Sequence, residues 1–211
     1  MVTEMKHILL FVITTFLILN CSAQNWDINT LKKINGIDNS FVTGYSKTLS
    51  KSEPYLAVGV PVILGSYALM KNNPGLLDDA IYIGTSVAEA VVLTSGMKYA
   101  VDRERPSDRY PDLIEKRASV SSASFPSGHT ATAFSLATSL SIRYSKWYVI
   151  APSYIWACSV GFARMNEGVH YPSDIFAGAV IGSGCAVVNV YVNKWLNKLL
   201  IPKTDPKIVN Y

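Results

Sequence analysis

Five long apolar stretches constrain the fold of this chain more than any other feature of its sequence. Each contains about 17–19 residues with at most one Asp, Glu, Lys or Arg. They cover residues 54–70, 80–97, 125–142, 147–163 and 175–193. As helices they would be about 25–29 Å long, close to the ~30 Å hydrocarbon core of a bilayer. The stretches therefore predict an all-α helical bundle with about five transmembrane helices.

The composition favours a membrane protein but leaves a soluble helical bundle open. Charged residues make up 16% of the chain, below the roughly 25% that is usual in soluble domains. No dense run of Lys and Arg indicates a nucleic-acid partner. Gly178 and Gly182 lie four positions apart in the last stretch, a pattern of close packing between membrane helices. However, the third stretch is rich in Ser and Thr, and buried helices of soluble proteins show similar patterns.

Residues 1–23 have the features of a secretory signal peptide. Lys6 supplies a positive end, and the apolar run from Ile8 to Leu19 has 12 residues, which is short for a membrane span. Small residues at Cys21 and Ala23 place the cleavage site before residue 24. An uncleaved first span and lipid attachment at Cys21 remain alternatives.

The rest of the chain divides into three parts: an amphipathic periplasmic segment at 24–53, a helical core at 54–195 and a tail at 196–211. In the first part Leu31, Ile34, Ile37 and Phe41 recur at helical spacing. This spacing predicts one amphipathic helix.

Two charged loops, at 98–124 and 164–174, are separated by two of the predicted spans. They must therefore emerge on the same side of a membrane. A cleaved leader would place this side outside the inner membrane, although the distribution of Lys and Arg does not cleanly agree. Glu89 lies inside a predicted span, where a carboxylate is costly; an ion pair with an arginine or lysine of these loops would offset that cost.

Only two histidines, His129 and His170, lie outside the predicted leader. Imidazole titrates near neutral pH, so it can attack phosphorus or transfer a proton. Asp174 follows His170 by four residues, which is about one helical turn, so it can orient the ring if residues 170–174 are helical. Considered alone, His170 would be better explained as a loop histidine beside a capping aspartate.

His129 ends the sequence Pro126-Ser127-Gly128-His129, at the start of the third apolar stretch. The start of a helix offers free N–H groups to an anion. Ser127 adds a hydroxyl donor, and Gly128 allows an oxyanion to approach the backbone closely. A simple helix cap at Ser127 is the alternative, but it leaves His129 without a role.

Lys98 and Arg105 are separated by six residues in the first charged loop, and Pro106 follows. A lysine provides a compact charge, and an arginine provides a planar fork that suits phosphate oxygens. Considered alone, Lys98 would be better explained as a snorkelling residue at the end of an apolar helix, and Arg105 as a solvated loop charge.

Taken together, these residues resemble the signature of the type 2 phosphatidic acid phosphatase family, which shares its core with bacterial acid phosphatases and vanadium haloperoxidases. The order and spacing of Lys98…Arg105-Pro106, then Pro126-Ser127-Gly128-His129, then Arg164…His170…Asp174 match that signature. The resemblance covers about residues 54–195. One position departs from the pattern, because Ala163 replaces the serine that usually precedes the third-motif arginine.

The resemblance implies a metal-independent membrane phosphatase that acts on phosphate monoesters or diphosphates of lipids through a phosphohistidine. His170 is the implied nucleophile, Asp174 orients it and His129 is the implied acid and base. The implied phosphate-binding residues are Lys98, Arg105, Ser127, Gly128 and Arg164. No cofactor is implied.

The expected partners are a phosphorylated lipid substrate and membrane lipids, with the site on the periplasmic side of a bacterial inner membrane. Candidate substrates are phosphatidic acid, phosphatidylglycerol phosphate, undecaprenyl diphosphate and lipid A. Three alternatives remain: a soluble periplasmic acid phosphatase, a vanadate-dependent haloperoxidase, and a non-catalytic phospholipid-binding protein, which Ala163 would favour.

Overall fold

The computed structural model describes residues 26–200, with side chains described as far as Lys194. All regular structure in this part of the chain is helical, which confirms the predicted all-α class. The helices are α1 (residues 26–35), α2 (Ser40–Met70), α3 (Pro74–Val101), α4 (Pro106–Arg109), α5 (Gly128–Arg143), α6 (Trp147–Asn166) and α7 (Pro172–Leu200). The predicted leader at 1–23 and the tail from residue 201 onward lie outside the described residues.

The predicted apolar stretches fall within α2, α3, α5, α6 and α7, and capping residues set several of the helix starts. The Asn73 side chain accepts a hydrogen bond from the Leu76 backbone N–H, and Pro74 is the first residue of α3. Ser127 caps α5 in the same way. Pro172 begins α7, where a proline costs no helical hydrogen bond. These starts place Ser127, Gly128 and Asp174 in the first turns of α5 and α7.

Two helical segments are long and apolar enough to cross a membrane by length and composition: Ser40–Met70 of α2 and Pro172–Lys194 of α7. The other apolar helices of the described chain do not meet both criteria. Helix α5, for example, has only 16 residues. The number of five spans therefore remains a prediction.

The segment at 24–53 differs from its prediction, since it contains two helices rather than one. Helix α1 ends before a break at residues 36–39, and Asn39 caps α2 by accepting a hydrogen bond from the Phe41 N–H at 2.8 Å. Leu31 is buried, whereas Ile37 lies in the break and Phe41 is 78% exposed. The apolar residues with helical spacing therefore do not form one continuous face.

Helix α5 lies at the centre of the bundle and packs against α2, α3, α6 and α7. Its contact with α7 is close because two α7 glycines face the α5 backbone. A Cβ atom at Gly182 would lie 1.9 Å from the Ala131 carbonyl oxygen, and one at Gly178 would lie 2.6 Å from the Ser127 carbonyl oxygen. The predicted close packing at Gly178 and Gly182 is confirmed, and it brings the first turns of α5 and α7 together.

The two charged loops meet at the same end of the bundle, as predicted. Arg105 of the first loop donates to the Val169 carbonyl at 2.7 Å, and Ser124 donates to Asp174 at 2.6 Å. Glu89 does not join them. It lines a groove of about 700 Å³ between α3 and α7, and it forms no ion pair within the described residues. The expected pairing of Glu89 with a loop cation is therefore not found.

Candidate active site

His170 lies in the short connection between α6 and α7, and its ring is almost fully buried. Its Nδ1 lies 3.5 Å from Asp174 Oδ2, and its Nε2 lies 3.3 Å from Arg105 Nη1. Because an arginine can only donate hydrogen bonds, Nε2 must be the accepting nitrogen and the ring proton must be on Nδ1. The tautomer therefore directs N–H toward Asp174 and leaves a lone pair on Nε2.

The protonation state of His170 follows from its surroundings. Burial, together with the nearby Arg105 and Arg164 charges, outweighs Asp174 and lowers the pKa of His170 to about 3. The imidazole is consequently neutral at near-neutral pH. A neutral, oriented imidazole with a free lone pair has the properties of a nucleophile.

Asp174 is fixed by donors from three directions. Its Oδ2 accepts from Ser124 Oγ at 2.6 Å and from the Tyr171 N–H at 2.9 Å, and its Oδ1 accepts from Arg103 Nη1 at 2.6 Å. Arg103 also bridges to Asp27 Oδ2 at 3.0 Å and stacks on the Tyr171 ring at 3.9 Å. Burial disfavours the charged form of Arg103, but its ion pairs with Asp174 and Asp27 outweigh that effect and raise the pKa of Arg103. The carboxylate that faces His170 therefore has little freedom to turn.

The second motif lies beside the first. A Cβ atom at Gly128 would lie 3.9 Å from the Cε atom of Lys98, so the lysine side chain runs close to the start of α5. Ser127 is fully buried; its Oγ accepts from the Thr130 N–H at 3.4 Å and lies 2.9 Å from Thr130 Oγ1. Ser127 is thus a helix cap in this structure, and a role for its hydroxyl in phosphate binding remains a prediction.

His129 occupies the first turn of α5, and its side chain is 37% exposed, in contrast to the buried His170. Its Nε2 lies 3.9 Å from Oε2 of Glu53 on α2. A partly exposed imidazole is suited to exchange protons with a substrate or with water.

Lys98 and Arg105 are held by neutral acceptors. Lys98 Nζ donates to the Ala123 carbonyl at 2.5 Å, and Arg105 Nε donates to the Ser122 carbonyl at 2.7 Å. Burial, reinforced by the charge of Arg164, lowers the pKa of Arg105 to about 10, which still leaves the guanidinium charged at neutral pH. These cations are positioned without being neutralised, so their charge is available to an anion.

Arg164, near the end of α6, is also buried, but it has a carboxylate partner. Its Nη1 lies 2.6 Å from Glu167 Oε2, and that oxygen also accepts from Ser50 Oγ at 2.8 Å. Arg164 Nε is buried and makes no hydrogen bond within the described part of the chain. This donor is therefore unsatisfied by protein groups.

The structure brings together the predicted site residues at one end of the bundle, along with several that the sequence patterns did not indicate. The additional residues are Asp27, Glu53, Arg103, Ser124 and Glu167. Arg103 is two residues before the predicted Arg105 and could have been considered on that ground. The described residues contain no group of three or more His, Cys, Asp or Glu side chains arranged to bind a metal ion.

Comparison with known families agrees with the arrangement of these residues. The PAP2 superfamily profile matches residues 79–198, which is more than half of the chain. The chain belongs to the PAP2 superfamily. The matched region includes all the predicted site residues from Lys98 to Asp174, and the family resemblance seen in the sequence is confirmed.

Several curated proteins are similar to parts of this PAP2 chain. A lipid A 1-phosphatase of Porphyromonas gingivalis is 32% identical over 133 residues, covering 60% of this chain and 26% of the relative. An undecaprenyl-diphosphatase of Sulfolobus acidocaldarius is 30% identical over 103 residues, covering 49% of this chain and 50% of the relative. The chain thus spans half or less of the length of these relatives.

Two solved structures have a similar fold. The crystal structure of Aquifex aeolicus LpxE aligns with a TM-score of 0.62 and 25% identity, over 79% of this chain and 95% of that one. A transmembrane PAP2-type phosphatidylglycerolphosphate phosphatase from Bacillus subtilis aligns with a TM-score of 0.69 and 20% identity, over 94% and 96% of the two chains. The helical bundle described above is therefore the fold of PAP2 membrane proteins.

Proposed function

We propose that this PAP2 chain is a membrane phosphatase that hydrolyses phosphate monoesters or diphosphates of lipids through a phosphohistidine intermediate. The main support is the arrangement of His170: its Nε2 faces the Arg105 guanidinium at 3.3 Å, and its Nδ1 faces Asp174 at 3.5 Å. This arrangement places the lone pair of a neutral imidazole beside a phosphate-binding group.

In the first step the phosphoryl group binds to Lys98, Arg105 and Arg164, and the buried Arg164 Nε gains an acceptor. When Arg105 turns its Nη1 from His170 to a phosphoryl oxygen, the Nε2 lone pair is released for attack on phosphorus. A positive charge then develops on the imidazole, and Asp174 stabilises it. Cations that are already in position stabilise the charge on the transferring oxygens without reorganisation.

The second histidine completes the proposed reaction. His129 gives a proton to the leaving oxygen as the bond from that oxygen to phosphorus breaks. It later takes a proton from the water molecule that attacks the phosphohistidine, and the electron pair of the P–N bond returns to His170. Its side chain is 37% exposed, which suits exchange with a leaving group and with water.

A lipid substrate is supported by the outer surface of the bundle. Helices α2, α3, α6 and α7 expose large apolar side chains, including those of Val62, Ile63, Val92, Ile155, Phe176 and Val188. Exposed apolar surface on several adjacent helices favours contact with lipid. The relatives named above as a lipid A phosphatase and an undecaprenyl-diphosphatase act on phosphorylated lipids of this kind.

Among phosphorylated lipids, the candidates are phosphatidic acid, phosphatidylglycerol phosphate, undecaprenyl diphosphate and lipid A. We place the site at the periplasmic face of a bacterial inner membrane, with α2, α3, α5, α6 and α7 as the spans. The acyl or prenyl chains would then remain in the bilayer while the phosphate reaches the loops.

The test is phosphate release from a panel of these lipids by the purified protein, with His170→Ala as the control. We expect His170→Ala to lower the rate by at least about 10³-fold, since the loss of a nucleophile is seldom compensated. The wild type, quenched in alkaline detergent after reaction with a substrate labelled at phosphorus, should carry label that survives in base and is lost in mild acid. Near-normal release by His170→Ala would contradict the mechanism, and extraction from membranes by salt alone would favour the soluble acid phosphatase.

A further inference from the structure

Each histidine of the site faces a carboxylate, but only one of these carboxylates belongs to a sequence motif. His170 faces Asp174 on the next helical turn, whereas His129 faces Glu53, which comes from α2 and is distant in sequence. Glu53 is 4% exposed. Its Oε1 accepts from Thr132 Oγ1 at 2.5 Å, and its Oε2 lies 3.9 Å from His129 Nε2. Thr132 therefore holds one oxygen of Glu53 and leaves the other directed at His129.

The surroundings of His129 disfavour its protonated form, which a carboxylate at Glu53 would favour. Burial is the largest factor that opposes a positive charge on the His129 ring. The charges of Arg164 from α6, Lys98 from α3 and Arg105 from the first loop add to it. A histidine that protonates a leaving group must carry that charge before the step. Among the acidic side chains of the described residues, it is Glu53 that lies within ion-pair distance of His129.

A simpler explanation for the buried acid at Glu53 would be that it offsets the positive charge of Arg164. Arg164 Nη1, however, already pairs with Glu167 at 2.6 Å. Glu167 is held in turn by Ser50, one turn before Glu53 on α2. Helix α2 thus supports one carboxylate on Arg164 and places a second one beside His129. The charge of Glu53 also acts on Arg164, but among the acids of the described residues it is Glu53 that lies within ion-pair distance of His129.

We propose that Glu53 is a positioning residue that orients His129 and stabilises its imidazolium form while the proton passes to the leaving oxygen. The inference rests on the proposed phosphatase function and assigns to α2 a role that the three motifs do not contain. A doubly protonated imidazole has two N–H groups, so one can face Glu53 while the other supplies the proton.

The proton balance of the step is as follows. The Nε2 lone pair of His170 forms the bond to phosphorus, and the bond between phosphorus and the leaving oxygen breaks. The leaving oxygen takes a proton from the His129 imidazolium, which becomes neutral, and Glu53 remains a carboxylate. When water then attacks, His129 recovers a proton and again pairs with Glu53.

Leaving groups of different basicity distinguish this role from a structural one. Hexyl phosphate releases an alkoxide that needs a proton, whereas p-nitrophenyl phosphate releases a phenolate that departs without one. We expect Glu53→Gln to lower kcat for hexyl phosphate by about tenfold or more, part of the roughly 10²–10⁴-fold that general acid catalysis provides. For p-nitrophenyl phosphate we expect a change within about twofold, since that step does not depend on the acid.

Two further variants complete the experiment. Glu53→Asp retains the charge and should recover part of the hexyl phosphate rate; it also tests the proposal if Glu53→Gln does not fold. Glu167→Gln removes the other buried carboxylate, the one on Arg164, and should affect both esters to a similar degree. Thermal unfolding in detergent establishes that each variant is folded.

The outcomes separate the two proposals. A selective loss on hexyl phosphate in Glu53→Gln, with partial recovery in Glu53→Asp, supports the role of Glu53. Equal losses on both esters overturn that role and leave the phosphatase function intact. A wild type that releases no phosphate from any ester or lipid, like His170→Ala, overturns the proposed function and this inference with it.

Discussion

The contact between α5 and α7 allows a sharp test of how packing positions the site. Gly182→Ala adds one methyl group, whose carbon would lie 1.9 Å from the Ala131 carbonyl oxygen. Contacts of a Cβ atom are rarely closer than 3.4 Å, so the two helices would need to separate by about 1.5 Å. The obstacle is backbone on α5, which cannot rotate away as a side chain would.

The expected loss of stability follows from this geometry. Overpacking of a core costs about 1–3 kcal/mol, and we expect the upper end here because backbone must move. That corresponds to a fall of roughly 6–12 °C in Tm for a chain of this size. Activity should fall further, because α5 carries His129 and α7 carries Asp174. A displacement of about 1 Å between reacting groups can cost on the order of 10²-fold in rate.

Gly184→Ala is the matched control, since it makes the same change on the same helix. A Cβ atom at Gly184 has no neighbour within 4 Å, and replacing a helical glycine with alanine favours the helix by roughly 1 kcal/mol. Both variants would be compared by thermal unfolding in detergent and by phosphate release. If Gly182→Ala matched Gly184→Ala in Tm and rate, the close backbone contact between α5 and α7 would be refuted.

Two further substitutions test the surroundings of Asp174 and the departure from the family pattern. We expect Arg103→Gln to lower the free energy of unfolding by about 2–3 kcal/mol, because it removes the cation from two buried carboxylates, although the guanidinium itself is partly exposed. The exposed ion pair between Lys116 and Asp108 provides a control, since Lys116→Gln should cost less than about 1 kcal/mol. Equal unfolding temperatures for these two variants would contradict the importance of the Arg103 bridge. Ala163→Ser should keep kcat within a few-fold of the wild type and lower KM if the new hydroxyl reaches a phosphoryl oxygen, whereas a loss of activity would show that Ala163 is needed for packing.

The sequence predicted the parts of this structure that depend on local patterns. The apolar stretches correspond to α2, α3, α5, α6 and α7, because inside a bilayer an apolar run of this length needs a helix, in which its backbone groups pair internally. The pairing of His170 with Asp174 was also predictable, since it depends on a spacing of one helical turn. The prediction failed at 24–53, where hydrophobic spacing continued across a break in the helix.

Contacts between distant segments were beyond prediction from one sequence. Asp27 binds Ser173 and Arg103, and nothing near Asp27 indicates that α1 packs at the mouth of the site. Glu53 lies in a helix whose other residues are mostly apolar or neutral, and its proximity to His129 depends on how α2 packs against α5. Periodicity assigns a residue to a face of its own helix but does not identify what that face contacts.

The pairing of charges in the site suggests how phosphate binding is divided among its cations. Arg103 is occupied by Asp27 and Asp174, and Arg164 is partly occupied by Glu167. Lys98 and Arg105, in contrast, donate only to neutral groups in the described residues. These are carbonyl and hydroxyl oxygens and, for Arg105, the neutral ring of His170.

A cation that is already paired with a carboxylate gains little from a phosphoryl group, because its charge has been offset, whereas a cation held by carbonyl groups keeps its full attraction. Lys98 and Arg105 should therefore contribute most of the electrostatic attraction for the substrate. Arg103 instead maintains the orientation of Asp174. On this division we expect a lysine and an arginine seven positions apart to dominate phosphate binding, although other arginines lie within the same site.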